Sequence, residues 1–153
     1  ACVTHLLTGI LGPGRVQSAG VRSATAAEAA AAREAGLAWV QRGTPEATDL
    51  FAESLAALAA LPVECPLYLS VDIDVVDPAA AGGVGTPEPG GVTSLELLRA
   101  VRAIVRAAGR RLRGLDIVEV APAHDLSGAT ATLGAKIIRE VIAERVAAIA
   151  GQQ

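Results

Sequence analysis

Asp72 and Asp74 stand two residues apart in the segment SVDIDVVDP, at the end of a run, LYLSVDI, that is apolar and partly β-branched. On an extended chain, side chains at i and i+2 project to the same side, so the two carboxylates are expected to share one face at a strand end. Like charges placed so close repel unless a cation or a proton lies between them, and in parallel α/β sheets ligands collect at the carboxyl ends of strands. An all-oxygen pair suits magnesium or manganese better than softer metals. Asp77, followed by Pro78, reads first as a turn cap and only second as a ligand.

Downstream, GVGTPEPGG carries Gly85, Gly90 and Gly91, which allow positive φ and close backbone approach, while Pro87 and Pro89 stiffen it. Such a loop is either a binding wall, with Thr86 and Glu88 facing a ligand, or a rigid structural turn. Glu119 falls inside the apolar run LDIVEV, where a carboxylate is costly without a partner; a cationic ligand or an arginine from a neighbouring helix would each serve. Asp116, three residues earlier, is expected on the opposite side of that strand, placed to orient another ligand from behind. His124 and Asp125, in the turn PAHD, read as loop caps with occasional substrate contact; His5 stays unassigned.

The elements that must position these groups follow from pattern. A short β-like stretch at 16–21 precedes Thr25 and Glu28, helix-start chemistry for an Ala-rich helix closing near Gly36. A short strand is expected at 37–41, a helix over 48–61 ended by Pro62, and the strongest strand at 67–73, its apolar character suggesting cover on both faces. The loop 77–91 leads to a helix through Ala108 opened by Thr93 and Glu96, then a strand at 115–120 and a long amphipathic helix at 130–150. This alternation predicts a mostly parallel sheet flanked by helices.

Composition narrows the class. With 52% hydrophobic residues among 153, the chain can bury a core, so disorder is not expected. Net charge is -3 and the basic residues are dispersed apart from Arg106, Arg110, Arg111 and Arg113, which excludes a nucleic-acid footprint. Cys2 and Cys65 form no CxxC or Cys/His cluster, so no thiolate metal site is expected and a cytoplasmic setting fits. Charged residues break every apolar tract before the roughly 18 residues of a membrane span. The chain opens on Ala1 without a signal-peptide pattern and is read as starting at a cut end.

Taken together, SVDIDVVDP, then GTPEPGG, then GLDIVEVAPAHD resembles the ureohydrolases, the family of arginases, agmatinases and related amidinohydrolases. GRVQSAGVRSATAAEAAAAREAG is similar to the strand and helix ahead of that family's metal motif, so the likeness covers nearly all of 1–153, read as the carboxy-terminal half of one domain. The resemblance implies a three-layer αβα sandwich with a mostly parallel sheet, its amino-terminal half missing here. It also implies two manganese ions, Mn(2+), bridged by a hydroxide that attacks a guanidinium carbon and releases urea. By motif position, Asp72 would bridge the metals and Asp74 ligate one of them. Glu119 would pair with the substrate guanidinium, Thr86 would lie in the loop wall, and Asp116 would orient a ligand. The implied partner is a small cationic guanidino substrate, and the implied assembly a trimer or hexamer. TPEPGG is more similar to agmatinases and guanidino-acid hydrolases than to arginases.

The departures are specific. The family's GGDH and DAHxD segments are absent, its catalytic histidine would fall before Ala1, and His5 does not match it. Gly82 replaces a usual proline and Val84 a usual threonine. No catalytic residue is therefore assigned, and the isolated chain is expected to be inactive. A non-catalytic fragment or pseudoenzyme that keeps the fold is the alternative. A dehalogenase-like phosphatase would use Asp72 and Asp74 as nucleophile and acid, but it needs a suitably partnered lysine, and the only one is Lys136. The deacetylase branch would want a histidine where Ile73 and Asp74 stand.

Overall fold

A computed structural model describes residues 2–12, 14–37 and 49–150, which fall into two compact units, Ala1–Cys65 and Pro66–Gln153. The first unit is helical: α1 (Cys2–Leu11), α2 (Ala26–Glu34) and α3 (Leu50–Ala59). Helix α2 starts where the sequence places it. Thr25 Oγ1 accepts from the Glu28 N–H at 3.2 Å, and Glu28 Oε2 accepts from the Thr25 N–H at 2.8 Å, satisfying two amides that a helix start leaves open. Asp49 caps α3 by accepting from the Ala52 N–H at 2.8 Å.

One expectation for this unit changes, one helix is added, and one expected strand lies outside the described residues. Residues 16–21 form no strand, because a strand needs a neighbouring ladder, and the Gly20 N–H is taken instead by Glu53 Oε2 at 2.9 Å. Helix α1 has no counterpart in the sequence reading, and it leaves Val3, Leu6 and Ile10 exposed. The strand expected at 37–41, together with Trp39 and Thr48, lies outside the described residues apart from Leu37.

The second unit is built from β1 (Leu67–Asp72), α4 (Ser94–Ala108), β2 (Leu112–Val118) and α5 (Ala129–Ala150). The strands pair in parallel with Ser70 opposite Asp116 and Asp72 opposite Val118. Parallel neighbours need a long crossover, and the loop 77–91 with α4 supplies it. Thr93 and Glu96 cap α4 reciprocally, at 3.2 and 2.8 Å. Leu97, Ala100, Val101, Val105 and Ala108 form its buried stripe, the three- and four-residue spacing of a helix lying on a core. That stripe and the α5 residues Leu133, Ile137 and Val141 are buried together with Val71, Ile73 and Leu112.

Arg106 grips Glu144 with two bonds of 2.6 Å, and Arg102 reaches Glu140 at 2.6 Å, so α4 and α5 are joined by charge as well as by packing. Glu140 also meets Lys136, and Arg145 donates to the Gly109 carbonyl. Arg106, counted above with the basic cluster, is thus a partner within the fold.

Strand β1 is covered on one face rather than two: Leu67 and Val71 are buried, whereas Tyr68 is 65% exposed. The Tyr68 ring lies across Gly114 of the next strand, and its hydroxyl donates to Asp116 Oδ2 at 3.1 Å. An apolar-looking strand can therefore keep an open face when a tyrosine spreads along it with its hydroxyl paired.

Candidate functional site

Asp72 is the last residue of β1, and Asp74 sits in the single 3-10 turn Ile73–Val75 that follows. The pair is thus brought together by a turn and not by alternation along an extended chain. Asp72 Oδ1 accepts from the Asp74 N–H at 3.3 Å, and Ile73 between them is fully buried, which pins the turn to the core. Partial burial pushes the Asp72 carboxyl up to about 6, with the charges of Asp74 and, less strongly, Glu119 adding to the rise. The charges of Asp74 and Glu119 thus both act on Asp72 at the end of the sheet.

Glu119 is placed differently from expectation. β2 ends at Val118, and Glu119 is exposed, one residue beyond, with φ of 63°. The ladder stops at the Asp72–Val118 pair, and the chain must then turn so that the Ala121 N–H can reach the Gly83 carbonyl at 2.8 Å. Glu119 absorbs that turn in a backbone region unfavourable for any residue with a Cβ. The alternation that would set Asp116 opposite Glu119 therefore does not extend to it. No arginine pairs with Glu119 among the described residues. Its Oε2 lies beside Gly85, 3.6 Å from where a Cβ there would stand, which puts the carboxylate against the glycine loop and next to Thr86.

The loop itself is tightly anchored. Asp77 accepts from the Ala79 N–H and the Gly90 N–H, each at 2.9 Å, so the turn-cap reading describes its contacts. Gly90 takes a φ of +85°, as the loop requires. Val76 and Val92 form a parallel bridge that closes the loop at its base. At Gly83 the backbone meets the Asp125 side chain so closely that a Cβ has no room, and the Gly83 N–H donates to buried Thr130 Oγ1 at 2.8 Å. Asp125 Oδ2 accepts from the Ala131 N–H at 2.9 Å, and His124 Nδ1 bonds the Val84 carbonyl at 3.1 Å. Thr86 and Glu88 are exposed on the loop.

Asp116 presents Oδ2 to Tyr68, while its Oδ1 is buried with no hydrogen-bond partner among the described residues. Thr130 and the His124–Val84 bond are structural parts of the site that the sequence reading missed. A threonine at a helix start gives no local sign that its hydroxyl serves a distant loop. His5 lies on α1 in the first unit, where it lines a cavity of about 370 Å³ with Ser18, Ser23, the capping Glu28 and several alanines.

Asp72 and Asp74 offer hard oxygen donors, and the raised Asp72 carboxyl marks a place where a cation would relieve repulsion. Among the described residues, however, no three histidines, cysteines or carboxylates gather as a metal cage. The pair fits as part of a ligand set.

Such a parallel strand pair, with carboxylates at its carboxyl end beside a glycine loop, defines an α/β protein with an acidic strand-end site of the kind that suits hard divalent cations. Residues 1–143 match the arginase family, and the chain belongs to that family, the ureohydrolases. It is similar to agmatinase of Bacillus subtilis, 42% identical over 133 residues, covering 87% of this chain and 43% of that protein. Guanidinopropionase of Pseudomonas aeruginosa is 40% identical over 137 residues, covering 88% and 42%. The agmatine ureohydrolase of Thermoplasma volcanium superimposes with a TM-score of 0.78 at 30% identity, over 94% of this chain and 46% of that one. The fold is therefore arginase-like α/β, and the chain spans less than half the length of the relatives it matches.

Proposed function

We propose that this chain carries the carboxy-terminal part of a manganese-dependent hydrolase that releases urea from a small cationic guanidino compound. The observation that carries this reading is the placement of Asp72 at the end of β1, bonded to the Asp74 N–H in the turn that follows, with Glu119 against Gly85 of the loop. In this arrangement, Asp72 and Asp74 hold manganese, two ions in the complete site, and Glu119 binds the guanidinium against the wall formed by Gly85 and Thr86. A bound metal would supply a nucleophilic oxygen at neutral pH. The chain's own residues do the rest: Glu119 orients the planar cation, Gly85 and Thr86 flank it on one side, and Asp116, held by Tyr68, offers Oδ1 to a neighbouring donor. The family relatives named for agmatine and guanidinopropionate support a guanidino substrate of the amine or acid type. A trimeric or hexameric assembly and a cytoplasmic setting belong to the same proposal. No helix among the described residues is long and apolar enough to cross a membrane.

The second reading is a non-catalytic chain that keeps the fold, favoured by the lack of a gathered metal cage among the described residues. Manganese titration followed by electron paramagnetic resonance, paired with a urea assay, separates the two. Saturable manganese binding lost in Asp72→Asn supports the metal reading; no binding at any accessible concentration overturns it. Urea release is expected only when the remaining ligands are supplied, and release by this chain alone would refute its partial character.

A further inference from the structure

His124 has no part in the metal or guanidinium chemistry above, yet the fold fixes it beside that chemistry. Its Nδ1 lies 3.1 Å from the Val84 carbonyl oxygen, and the next residue, Gly85, is the one flanked by the Glu119 carboxylate. A carbonyl only accepts, so this bond assigns the ring hydrogen of a neutral imidazole to Nδ1 and leaves Nε2 as a bare acceptor. The position is held from several sides: the Ala121 N–H bonds Gly83 O at 2.8 Å, Thr130 Oγ1 holds the Gly83 N–H, and Asp125, the next residue, caps α5. The imidazole is nonetheless exposed.

We propose that His124 reads the end of the substrate remote from the guanidinium, accepting a hydrogen bond at Nε2 from a terminal ammonium and so selecting a guanidino amine over a guanidino acid. This rests on Glu119 as the guanidinium partner and adds the substrate class. An acceptor nitrogen rewards a donor such as an ammonium and offers nothing to a carboxylate, which would leave two acceptors facing each other. Asp125, the next residue, and the Glu119 carboxylate beside Gly85 act in the same direction.

Nuclear magnetic resonance of the imidazole nitrogens tests the idea directly, because the chain has only two histidines, His5 and His124, and a His124→Asn sample assigns them. The unliganded chain, in mildly alkaline buffer, should show His124 as the Nδ1–H tautomer. Three probes are then titrated: butylguanidine, aminobutylguanidine and guanidinobutyrate. The amine tail should tighten binding about tenfold over butylguanidine and shift the His124 Nε2 resonance, whereas the acid tail should give no gain. His124→Asn, whose amide can still donate to Val84, should erase the amine advantage and leave butylguanidine binding intact. An Nε2–H tautomer, no amine advantage, or an advantage that persists in His124→Asn would each overturn the proposal, the last pointing to Glu88 or Asp125 instead. If butylguanidine fails to bind, or binds equally well to Glu119→Gln, the guanidinium reading itself falls and this inference falls with it.

Discussion

The hydroxyl of Thr130, fully buried at the start of α5, accepts the backbone N–H of Gly83 at 2.8 Å and so ties the last helix to the glycine loop. Thr130→Val keeps the shape and removes the acceptor, stranding a buried donor. The expected cost is about 2 kcal/mol of stability, with faster amide exchange at Gly83. Chemical denaturation with hydrogen exchange checks both, and an unchanged exchange rate at Gly83 would contradict the bond's role.

Glu119 sits at a φ of 63°, a conformation that glycine adopts freely. Glu119→Gly should stabilise the chain by about 1 kcal/mol while abolishing guanidinium binding. Glu119→Gln should lose the binding without the gain in stability. If the glycine variant unfolds at lower denaturant than the parent, the backbone there is not strained.

The clamp between α4 and α5 sets an acid limit. Arg102 first, then Lys136, lowers the Glu140 carboxyl from its ordinary 4.5 to about 2, and Arg106 lowers Glu144 in the same way. Because the folded-state values lie below the unfolded ones, this stabilisation is present above about 4.5 and drains away as pH falls towards about 2. Urea midpoints measured across that window should fall with pH, and Glu140→Gln should flatten the curve. A profile of equal slope in the variant would show that the clamp is silent.

At Asp72 the sign is reversed. Its carboxyl is raised from 3.8 to about 6, so holding it charged near neutrality opposes folding of the metal-free chain. Asp72→Asn should stabilise the metal-free chain by about 1 kcal/mol, a figure reduced for solvent screening at this open strand end. The same variant should weaken manganese binding by about a hundredfold or more. Thermal melts with and without manganese read both effects; a destabilised metal-free variant would argue against mutual repulsion at the cluster.

What could be read from the sequence was what is decided locally. The Thr25–Glu28 and Thr93–Glu96 caps, the Asp77 turn and the start of α5 each depend on residues a few positions apart, and all appear where expected. The family resemblance implied a shared site for the carboxylates at 72, 74 and 119, and in the fold the charges of Asp74 and Glu119 act on Asp72. What escaped depends on distant partners. Residues 16–21 carry a β-like pattern but give Gly20 to a glutamate on α3. The left-handed backbone at Glu119 comes from where β2 stops pairing, which no single-residue preference announces.

The loop 77–91 is fastened at its base by the Val76–Val92 bridge and the Asp77–Gly90 bond, and near its middle by Gly83. Its tip, from Thr86 to Pro89, is exposed and outside those fastenings. If the proposed site holds, substitutions in the tip would change which guanidino compound binds without touching Asp72 and Asp74, which lie outside the loop. A library confined to the tip should yield altered ligand preference at constant manganese affinity.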